Sequence, residues 1–252
     1  MHELVVVPCL TDNFAYLLHD PVTGGTACID VPEAAPVMAA LQHRGWKLSH
    51  ILLTHHHDDH IQGVTALRAA TGAKVLGASA DAHRLPRLDQ ALADGSPVKI
   101  GALEGVVIEV PGHTSGHIAV HFADAGIAFT ADSLMGLGCG RLFEGTAAQM
   151  WDSLSRLMAL PPATLVCSGH DYGRGNAAFA LSVDPDNPAL RARAARIAAG
   201  EVCVPATLAE ELATNPFLRA ADPALARAAG TEGATPAVTF AALRKMKDNF
   251  RG

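Results

Sequence analysis

The chain has 252 residues, 49% of them hydrophobic and 17% charged, which is enough apolar material for a large core and too little charge for a mainly disordered state. Its formal net charge of −6, from 19 basic and 25 acidic residues, argues against a surface built to hold a phosphate backbone, so no nucleic acid is expected as partner. The N-terminal apolar run, residues 4–10, is interrupted by Pro8, ends before Asp12 and lacks a basic flank, so it reads neither as a signal peptide nor as a membrane span, and a cytoplasmic location is expected. The five cysteines agree, being odd in number, scattered and never in a CxxC pair, as reduced thiols would be.

Along the first two-thirds the rhythm is α/β. Short apolar, β-rich segments predict strands at 4–7, 15–18, 27–29, 50–53, 74–76, 106–110, 118–122, 127–130 and 165–167. Between them, helical patterns run over 34–44, closed by Gly45, over 61–70, closed by Gly72, and over 150–160, closed by Pro161 and Pro162. Thr146 and Gln149 offer the last of these a capping box. After His170 strand signals nearly vanish, and Pro185, Pro188, the Thr207/Glu210 pair, Asp222 before Pro223 and Thr235 before Pro236 each mark a helix start. A domain boundary is therefore predicted near residues 171–175, followed by a small helical part that packs on the first.

Chemistry concentrates at residues 54–60, Thr-His-His-His-Asp-Asp-His, placed directly after an apolar strand and before a helix. A strand-to-helix turn aims several side chains into one pocket from a rigid base, and imidazole and carboxylate lone pairs suit Zn²⁺ or Fe²⁺. His55 and His57, two apart in an extended stretch, project to one side, while Asp59 and His60 begin the bend into the helix. A solvated histidine-rich loop would look similar in isolation. Further candidates lie at the ends of three other predicted strands, however: His113 after 106–110, Asp132 after 127–130 and His170 after 165–167. Together His55, His57, Asp59, His60, His113, Asp132 and His170 supply enough ligands for two metal ions. Paired metals lower the pKa of a shared water and polarise an acyl or phosphoryl oxygen, so hydrolysis is the expected chemistry. The G-x-S-x-G elbow of serine hydrolases is missing. Gly136, Gly138 and Gly140 do not have dinucleotide-loop spacing and read as places where the backbone passes close to substrate or metal. His56, His117 and His121 read as supporting or surface residues.

The THHHDDH segment resembles the T-H-x-H-x-D-H signature of the metallo-β-lactamase superfamily, and PGHTSGH, TADS and SGHDY follow in that superfamily's order. LTDNFAYLL, GCGRLFEGT, NPFLR and RKMKDNF extend the likeness over nearly the whole chain to the glyoxalase II, or hydroxyacylglutathione hydrolase, branch. The resemblance implies an α/β fold of the αββα sandwich type: a metallo-β-lactamase-like catalytic domain over residues 1–171 and a helical glutathione-binding domain over residues 172–252. It further implies one metal on His55, His57 and His113, a second on Asp59, His60 and His170, and Asp132 between them, with Asp59 and Asp132 positioning a metal-bridging hydroxide. Asp30, closing the strand at 27–29, matches a carboxylate that supports the ligands. Glutathione contacts are implied at Arg141, Phe143, Tyr172, Arg244 and Lys247, with Phe143 lacking the hydroxyl that a tyrosine would bring. Two divalent ions, zinc or else iron or manganese, a small glutathione thioester as substrate and a monomeric state complete the expectation, which places the enzyme at the second step of methylglyoxal detoxification.

Physical reading lends the C-terminal cations some support. On a helix from Pro236, Arg244, Lys247 and Arg251 form one basic stripe, while Val238, Ala242, Met246 and Phe250 are read as an apolar one. Cations at a helix end also complement its dipole without any ligand. A single-iron persulfide dioxygenase is the alternative enzyme, opposed by the complete second ligand set and the long helical tail; a non-catalytic metal-binding protein is opposed by the absence of lost ligands.

Overall fold

The computed structural model describes residues 2–251, which condense into two compact units: residues 2–109 with 115–131, and residues 110–114 with 132–251. In the first unit the order is β1 (Glu3–Cys9), β2 (Asn13–His19), β3 (Thr26–Ile29), α1 (Ala34–Arg44), β4 (His50–Leu52), α2 (Asp58–Ile61), α3 (Val64–Thr71), β5 (Lys74–Ala78), a 3-10 turn (Ser79–Asp81), β6 (Gln90–Leu92), β7 (Pro97–Ile100), β8 (Leu103–Glu109), β9 (Ile118–Phe122) and β10 (Ile127–Ala131). One mixed sheet runs β1-β2-β3-β4-β5-β6, antiparallel as far as β3 and parallel beyond it. Strands β10-β9-β8-β7 form an antiparallel run. Tyr16 of β2 meets Phe129 of β10 with ring centroids 5.7 Å apart, so the two sets of strands share apolar filling. The other side of the mixed sheet packs under helices, where Val37 and Leu41 of α1 and Val64 and Leu67 of α3 join Cys28, Ile51, Leu53 and Val75 in one buried cluster. Parallel β3, β4 and β5 are accordingly almost wholly apolar, as strands covered on both faces must be.

In the second unit come β11 (Leu134–Met135), β12 (Gly138–Cys139), α4 (Ala147–Met158), β13 (Leu165–Ser168), α5 (Gly173–Val183), α6 (Pro188–Ala198), β14 (Ala206–Thr207), α7 (Leu208–Thr214), α8 (Pro223–Ala228) and α9 (Pro236–Asn249). Phe179, Phe217 and Phe240 are fully buried and lie ring against ring at 5.8 and 5.9 Å, and Trp151 of α4 reaches Phe240 of α9 at 5.9 Å. The segment 132–170 thus condenses with the helices that follow it.

Most predicted elements are present, and the differences have local causes. The helix expected over 61–70 is two pieces, α2 and α3, parted at Gln62 and Gly63 because the Gly63 N–H turns away to bond the Val31 carbonyl at 2.9 Å. The helix expected over 150–160 begins at Ala147, where Thr146 and Gln149 form the reciprocal capping box. Pro185 does not start a helix; Asn187 caps α6 and Pro188 opens it. On α9 the apolar stripe expected through Val238 and Met246 is displaced: these are 50% and 36% exposed, whereas Thr239, Phe240, Leu243 and Arg244 face inward. Phe240 and Arg244 are one turn apart, so the face that carries the cation is the buried one. All five cysteines are buried thiols. Among the described residues no helix is long and apolar enough to cross a membrane.

One buried ion pair organises the second unit. Glu211, fully buried, accepts from Arg193 at 2.5 Å with Oε1, and from the Leu137 N–H at 2.9 Å and the Asn215 amide at 3.0 Å with Oε2. Burial pushes its carboxyl pKa up, and the Arg193 guanidinium opposes that shift. Glu211→Ala removes the carboxylate paired with the buried Arg193 and the acceptor of the Leu137 N–H, and should cost about 3–5 kcal/mol, read as a lower urea midpoint at unchanged m-value.

Candidate metal centre

In the first unit the ligand loop leaves β4 at Leu53, whose N–H bonds the Leu76 carbonyl at 2.8 Å. Asp30, the residue after β3, stands at φ +54°, in the left-handed region that a short aspartate tolerates better than most side chains. Its buried carboxylate accepts the Thr54 N–H at 2.9 Å and the Thr54 hydroxyl at 2.8 Å, and Oδ2 lies 2.8 Å from His60 Nδ1. A carboxylate only accepts, so His60 carries its proton on Nδ1 and presents the Nε2 lone pair inward. Asp30 and His55 and His60 also offer ligand atoms within 4.8 Å of one another. Both oxygens of Asp30 are already engaged by Thr54, so the carboxylate suits the support of the loop better than direct ligation.

His55 Nδ1 lies 3.0 Å from the Thr54 hydroxyl, and its Nε2 lies 3.1 Å from His57 Nδ1. Two ligand atoms on one tetrahedral Zn²⁺ stand roughly 3.3 Å apart, so this nitrogen pair has the separation a shared ion requires. Asp59, on the first turn of α2, is held by Asn13, whose side-chain amide donates to the Asp59 carbonyl at 3.0 Å and to Oδ2 at 3.1 Å. The same Oδ2 is 3.9 Å from His60 Nε2. His117, buried, stacks on His55 with centroids 4.7 Å apart, which fixes that ring from its face. His121 is only partly buried, and burial lowers its pKa.

In the second unit His113 Nδ1 lies 2.9 Å from the Arg141 carbonyl, an acceptor, so Nδ1 carries the proton and Nε2 turns to Asp132. Asp132 Oδ2 is 3.5 Å from His113 Nε2 and 3.4 Å from His170 Nε2. One carboxylate oxygen between two imidazole nitrogens suits a carboxylate shared by two ions. The close approach depends on Gly140, where a Cβ would strike the His113 ring and the Asp132 carbonyl. The donor chemistry therefore fits divalent metals: imidazole and carboxylate atoms face one another, and an acceptor fixes the outer nitrogen of both His60 and His113.

The expected substrate residues divide by environment. Phe143, 63% exposed, sets its ring edge-on to His113 at 5.3 Å, and Tyr172, 42% exposed, stacks on His170 at 4.7 Å. Arg141 is exposed. Lys247 donates to the Gly175 carbonyl at 2.7 Å and lies over the Phe179 and Phe250 rings. Burial, with Arg244 and Arg141 nearby, lowers its pKa to about 8. Arg244 differs: it is buried, lies over Phe217 at 5.0 Å, donates to the Cys139 carbonyl at 2.9 Å and pairs with Asp248 at 2.8 Å. Its guanidinium ties α9 to the loop that carries Arg141.

Sequence reasoning missed Asn13 and the Arg141 carbonyl. The first was visible only within the quoted LTDNFAYLL likeness, and the second is a backbone atom with no side-chain signature.

A model of the metallo-beta-lactamase superfamily matches residues 15–170, and one for the hydroxyacylglutathione hydrolase C-terminus matches residues 171–250. Among solved structures, ETHE1 from Myxococcus xanthus aligns with a TM-score of 0.68 and 27% identity over 99% of this chain and 90% of its own. TTHA1623 in a di-iron-bound form aligns at 0.62 and 26% identity over 86% of this chain and 100% of its own. The fold is that of the metallo-β-lactamase superfamily. Curated hydroxyacylglutathione hydrolases are more similar: that of Jannaschia sp. (strain CCS1) is 63% identical over 98% of both chains, and those of Cereibacter sphaeroides and Ruegeria pomeroyi are 61% and 56% identical over 98% of this chain and 99% of theirs. The chain belongs to the hydroxyacylglutathione hydrolase family.

Asp30→Ala removes the acceptor of two donors on the ligand loop and of His60 Nδ1. Metal affinity measured by chelator competition should fall about 10–100-fold; an affinity equal to wild type would return Asp30 to a plain turn residue.

Proposed function

We propose that the protein hydrolyses S-(2-hydroxyacyl)glutathione thioesters, chiefly S-D-lactoylglutathione, to D-lactate and glutathione, as the second step of methylglyoxal detoxification. The observation that carries this reading is the pairing of a ligand set with a basic, aromatic substrate set on one chain whose relatives bear that name over their full length. Residues 1–171 act as the catalytic domain and 172–252 as the glutathione-binding domain, in a cytoplasmic monomer. His55, His57 and His113 would hold one divalent ion and Asp59, His60 and His170 the other, with Asp132 available to both; zinc is the first choice, with iron and manganese compatible with the same ligands. When bound, such a pair lowers the pKa of water to near neutrality and polarises the thioester carbonyl.

The chain's own groups do the rest. Asp30 and the Arg141 carbonyl keep His60 and His113 in the tautomer that offers Nε2. Asn13 sets the direction of the Asp59 carboxylate. Arg141 and Lys247 supply positive charge for the two glutathione carboxylates, while Arg244 holds the loop that presents Arg141. Tyr172 brings a hydroxyl and an exposed ring; Phe143 brings an exposed ring for packing and lacks the hydroxyl of a tyrosine.

The deciding experiment follows loss of thioester absorbance with S-D-lactoylglutathione on protein of assayed metal content, before and after chelation. Rapid, chelator-sensitive hydrolysis is expected, and Asp132→Ala should lose bound metal and turnover together. Two bound metals without hydrolysis would overturn the substrate assignment, and a fully active, metal-replete Asp132→Ala would overturn the ligand assignment. Oxygen uptake with glutathione persulfide is expected to be absent.

Lys247 adds a pH dependence of definite sign. Its depressed pKa of about 8 means that it is charged below that pH and neutral above it. KM for the anionic substrate should therefore rise as pH increases from 7 to 9.5, by about tenfold for the loss of one charge-assisted contact, and the rise should vanish in Lys247→Met.

A further inference from the structure

The carboxylate of Asp81 is buried at 1% exposure, and neither the metal set nor the substrate set uses it. It closes the 3-10 turn Ser79–Asp81 after β5, where the chain has already left the mixed sheet. Oδ1 accepts from Arg84 at 2.5 Å, and Oδ2 lies 3.1 Å from His56 Nδ1. Arg84 also donates to the Ser115 hydroxyl at 3.2 Å, and a Cβ added at Gly116 would collide with the Asp81 carboxyl. The carboxylate is thus confined by His56, by Arg84 and by the backbone at Gly116. The Arg84 ion pair and the His56 contact offset the cost of burying this carboxylate.

What they fix is the middle of the ligand loop. His56 stands between His55 and His57, and neighbouring side chains of an extended stretch point to opposite sides. Its Nδ1 accordingly reaches Asp81, while His55 Nε2 and His57 Nδ1 pair with each other. Because Asp81 only accepts, His56 Nδ1 is the donor and its ring orientation is set. The other face of the restraint is the contact of the His56 ring with the His57 ring, edge to face at 4.9 Å. Holding the side chain of residue 56 holds its backbone, and with it the directions in which residues 55 and 57 leave the chain.

We propose that Asp81, braced by Arg84, is a positioning residue that presets the His55/His57 pair for metal through its bond to His56. The inference rests on the reading of His55 and His57 as metal ligands. It makes the metal site partly preorganised before metal arrives, so that less ordering is left to the ion.

The test is a double-mutant cycle read in metal affinity rather than activity. Zinc affinity is measured by competition with a chromophoric chelator for wild type, His56→Ala, Asp81→Ala and the double variant, alongside the melting of each metal-free protein. Each single variant should bind zinc about 10–100-fold more weakly, and the double variant no more weakly than the weaker single, because both remove the same restraint. Asp81→Asn should fall between, since an amide keeps one acceptor for two donors. His56 is half-buried, so His56→Ala keeps the fold and decides the matter should Asp81→Ala melt below the working temperature. Zinc affinity unchanged in His56→Ala, or losses that add in the double variant, overturns the proposal while leaving the metal reading intact. A wild-type protein that retains no zinc in the same competition overturns the metal reading and this inference with it.

Discussion

A carboxylate that can only accept, placed at a backbone turn that few side chains tolerate, is the constraint on which the first unit's chemistry depends. Asp30 joins the end of β3 to the start of the ligand loop by two bonds to Thr54, and joins the same point to α2 through His60. Strand, loop and helix therefore share one anchor, and the anchor also decides which nitrogen of His60 keeps its proton. With both the peptide and the hydroxyl of Thr54 committed, the loop has little freedom before His55. Asn13 and Asp81 act at the two ends of the same stretch, on Asp59 and on His56.

The second unit reaches similar rigidity by different means. Glu211 and Asn215 grip the β11–β12 hairpin, the Asn215 amide reaching the Gly138 carbonyl at 2.9 Å and Glu211 the Leu137 N–H. Arg244 takes the Cys139 carbonyl from α9. The next two residues are Gly140, which lets the backbone pass against His113, and Arg141, whose carbonyl holds His113 Nδ1. A chain of contacts thus runs from the helices through the hairpin to His113 within one unit. Arg244, expected among the substrate contacts, is buried because it shares its helical face with Phe240 and Leu243.

The candidate ligand positions were legible because each follows a short apolar strand with an abrupt change of residue type. His113, Asp132 and His170 stand just past such strands, and the 55–60 cluster needs no pairing partner to be noticed. Two caps were legible in the same way, since Thr146 with Gln149 and Thr207 with Glu210 act within four residues. What sequence could not yield depends on contacts distant along the chain. Strands β6 and β7 have little apolar signal of their own and exist by pairing with β5 and β8. Asn13 meets Asp59 across 46 positions, and Arg244 meets Cys139 across 105. The grouping of residues 132–170 with the helices that follow them is likewise a matter of distant packing, through contacts such as Trp151 with Phe240.

The burial of every cysteine has a consequence for a protein assigned to glutathione thioesters. A thioester acylates any accessible thiolate by exchange, and the glutathione released can form mixed disulfides with exposed thiols under oxidation. Cys9, Cys28, Cys139, Cys167 and Cys203 are all buried, and burial raises the pKa of each, with Arg244 only partly offsetting it at Cys139. Their thiolate fraction near neutral pH is accordingly very small. The protein keeps sulfur nucleophiles of its own out of reach of an acyl donor, so that acyl transfer within the chain does not compete with transfer to water.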